Sequence, residues 1–297
     1  MSISTTGDNA VWDGVDLASL LCLTPLGRDR FAIPFSESNT YGEVFGGQYL
    51  GQALSAALAT GGGRSPHALH AFFLRAARAD RPMEARVERV RDGRSFSHRR
   101  VTLHQDESIA FCADVSLHDE EPSQPSHAAQ PPAAPPPESL RNLTELFELH
   151  GEATIGAEGR SPMTLKRTSE LRPVNSSAGF VQRGLEPQSL AWLRAVCFHS
   201  SDPLQHYAAL AYLSDLWANS ASRITHGRSL FSGETTSASL NHCIWFHRRP
   251  SVSDWFLYAA DSPSTNGGTG FNRGLIFERD GRHVASVTQE ALVRSAR

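Results

Sequence analysis

The order of apolar and polar positions repeats itself along this chain. In the first half, Gly46 to Ala59 (GGQYLGQALSAALA) is small, apolar and helix-compatible. Strand-like runs follow at Ala68–Leu74, Met83–Arg91, Phe96–His104 and Ile109–Leu117. In the second half, Leu204 to Trp217 (LQHYAALAYLSDLW) comes directly after Pro203, and proline suits the first position of a helix. Strand-like runs then cover Ser239–His247, Trp255–Asp261, Gly270–Glu278 and Val284–Arg294. Each half reads as one long helix followed by a meander of strands.

The halves also share local sequence. His70-Ala71-Phe72-Phe73-Leu74-Arg75 resembles His242-Cys243-Ile244-Trp245-Phe246-His247, and Ser95-Phe96-Ser97-His98-Arg99 lines up with Gly270-Phe271-Asn272-Arg273-Gly274. Continued without a gap, the second alignment sets Ala110 on Ala285 and Asp114 on Gln289. Such a repeat is the pattern of a duplicated unit. Between the copies, Asp119 to Pro137 carries seven prolines and no apolar periodicity, which predicts an extended spacer with no core of its own. A helix is expected from Ser139 to His150, with Leu140, Leu143, Leu146, Phe147 and Leu149 on one broad face and Gly151 as its stop. The expected division is residues 1–118, a linker at 119–138, and residues 139–297. A helix wrapped by an antiparallel sheet leaves open sheet edges, and two such units can join edge to edge and close them. The cleft between the two helices is then the natural ligand site.

Several of these segments resemble one family. Val44-Phe45-Gly46-Gly47-Gln48 with Gly51-Gln52-Ala53-Leu54, His67-Ala68-Leu69-His70-Ala71-Phe72-Phe73-Leu74-Arg75, and Arg91-Asp92-Gly93-Arg94-Ser95-Phe96-Ser97-His98-Arg99-Arg100 are similar to the first domain of acyl-CoA thioesterase II, the TesB-type double hot-dog thioesterases. Tyr212-Leu213-Ser214-Asp215, His242-Cys243-Ile244-Trp245-Phe246-His247-Arg248 and Thr288-Gln289-Glu290 are similar to the second. The resemblance runs from about residue 16 to 294. It implies an α+β double hot-dog fold and hydrolysis of fatty acyl-CoA thioesters to free acid and CoA. It also implies a catalytic set of an Asp on the second helix, a Thr or Ser at the start of the next strand, and a Gln near the C-terminal end. These fall on Asp215, Ser239 and Gln289, with Thr235, Thr236 and Ser237 as alternatives for the hydroxyl.

Those residue types suit the chemistry. A thioester is already activated, so a positioned and deprotonated water suffices. A carboxylate can take the water's proton, while a hydroxyl and an amide can both donate to it and accept from it. The apolar neighbours Leu213, Leu216 and Trp217 give Asp215 a setting in which a carboxylate is poorly hydrated. Taken alone, each residue has an ordinary explanation: a capping Asp, a strand Ser, an outward Gln. For substrate binding the candidates are His67, His70, Gly46, Gly47 and Arg94, although a histidine in a core, a glycine pair in a packed helix and a solvated Arg91–Arg100 face serve structure equally well. No Gly-x-Ser-x-Gly elbow, HExxH pair or phosphate loop occurs, so no metal or cofactor is expected.

Composition narrows the classes. The 297 residues are 40% hydrophobic and 20% charged with a formal net charge of −3, which argues against disorder and against nucleic-acid binding. No apolar run approaches the length of a membrane helix, the first residues lack the features of a signal peptide, and the four cysteines are scattered without a CxxC pair. A cytoplasmic enzyme acting on acyl-CoA, assembled as a homodimer or homotetramer, fits these features. The alternatives are a hot-dog hydratase or dehydratase, which would pair an Asp with a His, and a non-catalytic acyl-CoA-binding protein.

Overall fold

A computed structural model describes residues 10–11, 16–39, 42–121, 124–154, 168–174, 186–224 and 235–295. In chain order the elements are β1 (Ala10–Val11), α1 (Leu17–Leu21), β2 (Thr24–Gly27), β3 (Arg30–Ile33), β4 (Phe35–Ser36), α2 (Gly46–Ala59), β5 (Ser65–Phe73), β6 (Met83–Asp92), β7 (Phe96–Gln105) and β8 (Ser108–His118). After a 3-10 turn at Pro137–Ser139 come α3 (Leu143–Thr154), β9 (Ser169–Pro173), β10 (Gln188–Ala195), α4 (Pro203–Ser214), α5 (Ser220–Ile224), β11 (Thr235–Phe246), β12 (Phe256–Asn266), β13 (Thr269–Glu278) and β14 (His283–Ser295). β1 pairs with β4 as a short ribbon, and the other strands form one antiparallel sheet ordered β2-β3-β6-β7-β8-β5-β11-β14-β13-β12-β10-β9. The β5–β11 pair joins the two halves, with Ala71 opposite His242 and Leu69 opposite Ile244.

One face of this sheet carries the core. Leu69, Val101, Val115, Ile244, Ile276 and Val287 alternate inward and pack in a single apolar cluster with α2 and α4. The two helices touch along small residues. A Cβ added to Gly47 would lie 2.4 Å from the carbonyl oxygen of Tyr212, and one on Gly51 would lie 3.0 Å from that of Ala208. Two glycines thus let backbone meet backbone where any side chain would hold the helices apart. Gln48 and Gln52, both fully buried, tie the preceding chain to α2. Gln48 Oε1 accepts from Glu37 N at 2.6 Å, and Gln52 Nε2 donates to Leu20 O at 2.8 Å. These glutamines are structural anchors.

The helix-plus-meander expectation holds in both halves, with α2 spanning the predicted residues and the eight predicted strands present within a few residues of their bounds. The strands β2, β3, β9 and β10 were not anticipated; they are short or border weakly patterned sequence. Three details differ. α3 starts at Leu143 because Asn142 and Glu145 cap it reciprocally, with Glu145 N to Asn142 Oδ1 at 2.9 Å and Asn142 N to Glu145 Oε2 at 2.7 Å. It runs on past Gly151, and Leu149 is exposed where a continuous apolar face was expected. The proline-rich segment is extended, as its composition predicts, but it also packs: Ala134 and Leu140 cover Trp192, Trp255, Leu257 and Phe277 on the outer sheet face, and Trp192 Nε1 donates to Pro135 O at 2.8 Å.

The third difference concerns the repeat. Ser97 and Asn272, aligned by sequence, are both buried, but Ser97 pairs with Leu117 and Asn272 with Gln289. Leu117, and not Asp114, therefore occupies the place of Gln289 in the first half. Val101 pairs with Ala113 and its counterpart Ile276 with Ala285, so the first-half hairpin is three residues longer. An odd difference moves every later residue to the opposite face. His70 and His242 are mismatched in the same sense: His70 is exposed on the outer face, whereas His242 is fully buried beneath the helices.

The helix contact yields a stability test. In a helix, alanine is intrinsically better than glycine by up to about 1 kcal/mol. At Gly47 the obstacle is a backbone oxygen that cannot rotate away, and overpacking of this kind costs about 1–3 kcal/mol. Gly47→Ala is therefore expected to lower the midpoint of chemical denaturation, and an unchanged or higher midpoint would contradict the close crossing.

Candidate active site

The α4 helix ends at Ser214, and Asp215 is its C-cap. The expected helix reached Trp217, but the chain instead turns through residues 215–219 into α5. A carboxylate at a helix C-terminus meets the negative end of the helix dipole. Asp215 is compensated from across the interface. The N-terminus of α2 abuts it, so that a Cβ on Gly46 would lie 2.6 Å from Asp215 Oδ2. Asp215 is only 8% exposed, and Phe73 packs against the same point.

Ser239 and Gln289 come from adjacent strands. The β11–β14 register shifts between Ser239 and Asn241, so Leu240 is an extra residue in the ladder. That bulge puts Ser239 opposite the buried Ala291 and His242 opposite Gln289, so both residues of β11 face the helices. Ser239 Oγ donates to Asp215 Oδ1 at 3.1 Å, and Gln289 Nε2 donates to Ser239 Oγ at 2.9 Å. Among the alternative hydroxyls, Ser237 instead accepts from Asn219 Nδ2 at 2.9 Å. The side chains of Thr235 and Thr236 lie outside the described residues.

Behind Gln289 stands His242. Its Nδ1 meets Gln289 Oε1 in a short hydrogen bond, and its Nε2 meets Ser214 Oγ at 2.9 Å. Burial pushes the imidazole below its ordinary pKa, opposed by the nearby Asp215 and by the bond to Gln289. His242 was not among the candidate site residues read from the sequence. It is in fact one bond removed from the Asp215–Ser239–Gln289 chain, and its ring bonds to Gln289 and Ser214. On the other side of Asp215, Tyr212 Oη donates to Glu37 Oε2 at 2.6 Å, and burial together with that carboxylate raises the phenol well above its usual range.

The remaining sequence candidates divide. Gly46 is in the site. Gly47 serves the helix contact. His67 lies toward the opposite end of α4, hydrogen-bonded to Ser116 Oγ at 2.7 Å, in an open cleft of about 760 Å³ with Tyr207, Phe246 and Arg248. His70 stacks edge-on against Trp245 on the outer sheet face. Arg94 is an exposed turn residue whose carbonyl accepts from Arg64. The Arg91–Arg100 cluster does not form one face. Arg99 is fully buried and donates to Thr60 Oγ1 at 3.1 Å and Thr60 O at 2.9 Å, capping the end of α2, while Arg100 pairs with Asp114 outside. Among the described residues no cluster of His, Cys, Asp and Glu could hold a metal, and no helix is long and apolar enough to cross a membrane.

Comparison with known proteins agrees with this fold. The family model "Acyl-CoA thioesterase N-terminal domain" matches residues 36–118, and "Acyl-CoA thioesterase C-terminal domain" matches residues 126–293. The mouse (Mus musculus) protein acyl-coenzyme A thioesterase 8 is 31% identical over 287 residues, covering 94% of this chain and 88% of the relative. The crystal structure of acyl-CoA thioesterase II TesB2 from Mycobacterium marinum superposes with a TM-score of 0.75 at 31% identity, over 94% of this chain and 98% of that one. A hot-dog-fold protein from Alicyclobacillus acidocaldarius, 20% identical with a TM-score of 0.72 over 94% and 98% of the two chains, shares the fold. With both family models matched in order on a double hot-dog sheet, the chain belongs to the acyl-CoA thioesterase family and is a hydrolase of acyl-CoA thioesters.

Proposed function

We propose that Asp215, Ser239 and Gln289 together activate the water that attacks the thioester. The observation that carries this reading is the chain of hydrogen bonds from Gln289 through Ser239 to a nearly buried carboxylate. Ser239 occupies Oδ1, so Oδ2 is the oxygen available to a water. Asp215 takes one proton as the water oxygen adds to the carbonyl carbon. The second N–H of Gln289 orients that water. The first N–H groups of α2, on Gly46 and Gly47, have no acceptor within their own helix and point where the carbonyl oxygen gathers charge. Collapse of the tetrahedral intermediate breaks the C–S bond, and Asp215 returns its proton to the departing CoA thiolate. Holding the water between Asp215 and Gln289, with Ser239 fixing both side chains, supplies much of the rate without further chemistry.

Fatty acyl-CoA is the proposed substrate class, supported by the apolar ring of Phe73 beside Gly46 and Asp215. The proposed division into residues 1–118, 119–138 and 139–297 is supported by the junction between β8 and α3. A cytoplasmic location is supported by four cysteines that are free. Assembly into a homodimer or homotetramer is supported by the exposed Phe72 and Leu74, and a light-scattering mass of a single chain would refute it.

Release of free thiol from a panel of acyl-CoAs tests the site. Asp215→Asn, Ser239→Ala and Gln289→Ala are expected to lower kcat while circular dichroism stays that of the wild type. The loss should be largest for Asp215→Asn, about 10²–10⁴-fold. Full activity in Asp215→Asn would place the base elsewhere. Gly46→Ala is expected to displace the Asp215 carboxylate and cost on the order of 10²-fold in turnover with little change in stability. Wild-type turnover in that variant would show that the α2 terminus and the carboxylate are not in contact.

A further inference from the structure

The donor and acceptor types around Gln289 fix the order of its hydrogen bonds. Gln289 Nε2 donates to Ser239 Oγ, so Gln289 Oε1 is the atom facing His242 Nδ1. An oxygen cannot donate, and Nδ1 must therefore carry a proton. On the other side of the ring, Nε2 lies 2.9 Å from Ser214 Oγ, whose hydroxyl donates to Ala211 O at 2.8 Å. The result is a directed chain, His242 to Gln289 to Ser239 to Asp215, with each of these donors aimed toward the carboxylate. The ring rests against Ser214 of α4, and the chain crosses β11 and β14 to reach the next residue, Asp215. The two bonds of His242 are shielded from solvent, since Ser214, His242 and Gln289 are each 0% exposed.

An amide has no preference of its own between its two faces. If Gln289 turned over, its oxygen would face Ser239, whose hydroxyl would then donate to the amide and abandon Asp215. We propose that His242 is a positioning residue that locks the Gln289 side chain in the orientation whose N–H groups point at Ser239 and the attacking water. This rests on the reading of Gln289 given above. His242 touches neither water nor thioester, and it acts only through the amide.

A double-mutant cycle read as kcat and KM tests this. His242→Phe is expected to lower kcat by about as much as Gln289→Ala, with KM within roughly twofold of wild type. The double variant is expected to be no slower than Gln289→Ala alone, because groups that act as one unit are not additive. His242→Asn sets an amide N–H near the Nδ1 position and is expected to recover part of the lost turnover. His242→Gln sets it near the Nε2 position and is expected to recover none. Independent losses that multiply in the double variant would overturn the proposal, and so would equal activities of the Asn and Gln variants. The latter comparison stands alone if His242→Phe fails to fold by circular dichroism. Wild-type turnover in Gln289→Ala would discard the reading of Gln289 and this inference with it. An impaired Gln289→Ala beside a fully active His242→Phe would discard this inference only.

Discussion

The close crossing of α2 and α4 is the constraint on which the site depends. Gly47 and Gly51 bring one helix backbone onto carbonyl oxygens of the other. Because the helices run past each other in opposite senses, the start of α2 meets the end of α4. The positive end of one dipole then faces the one carboxylate that its own helix disfavours. Had the interface been built of leucines at the usual interaxial distance of about 8–10 Å, Gly46 and Asp215 would stand apart and the carboxylate would be left with its own helix's negative end. The apolar packing beneath the helices and the joined sheet serve to hold this crossing in place.

Most of the fold was legible from residue patterns, because long strands with a buried face and a proline-free apolar helix are strong local signals. α2 and the eight long strands are cases in point. Legibility failed where the deciding interaction was not local. The reciprocal cap at Asn142 and Glu145 moved a helix start, and an apolar sheet face recruited the proline-rich segment as its cover. The site divides in the same way. Asp215, Ser239 and Gln289 could be named only through a resemblance, since each has a plain structural explanation, yet their side chains do meet. His242 was passed over because a buried histidine in a strand carries no signal of its own. The one usable hint was that it falls at an inward position, and that depends on the bulge at Leu240, which sequence spacing does not reveal.

The repeat also accounts for why the proposed site is one-sided. At the end of α2 that corresponds to Asp215, the buried Arg99 guanidinium caps Thr60, and Leu117 stands in the place of Gln289. A cation over a helix C-terminus satisfies the dipole that a carboxylate would oppose. The first half thereby relieves locally the electrostatic conflict that the second half retains.

The seam between β5 and β11 has an evolutionary consequence. Each half alone would present a long strand with an unsatisfied ladder, an open invitation to misassociation. Each would also hold an incomplete site, one with the helix terminus at Gly46 and the other with the carboxylate, hydroxyl and amide. Once fused, the copies could not be parted without losing both solubility and chemistry. With the proposed site in the second copy, fusion leaves the first copy free to drift away from catalysis.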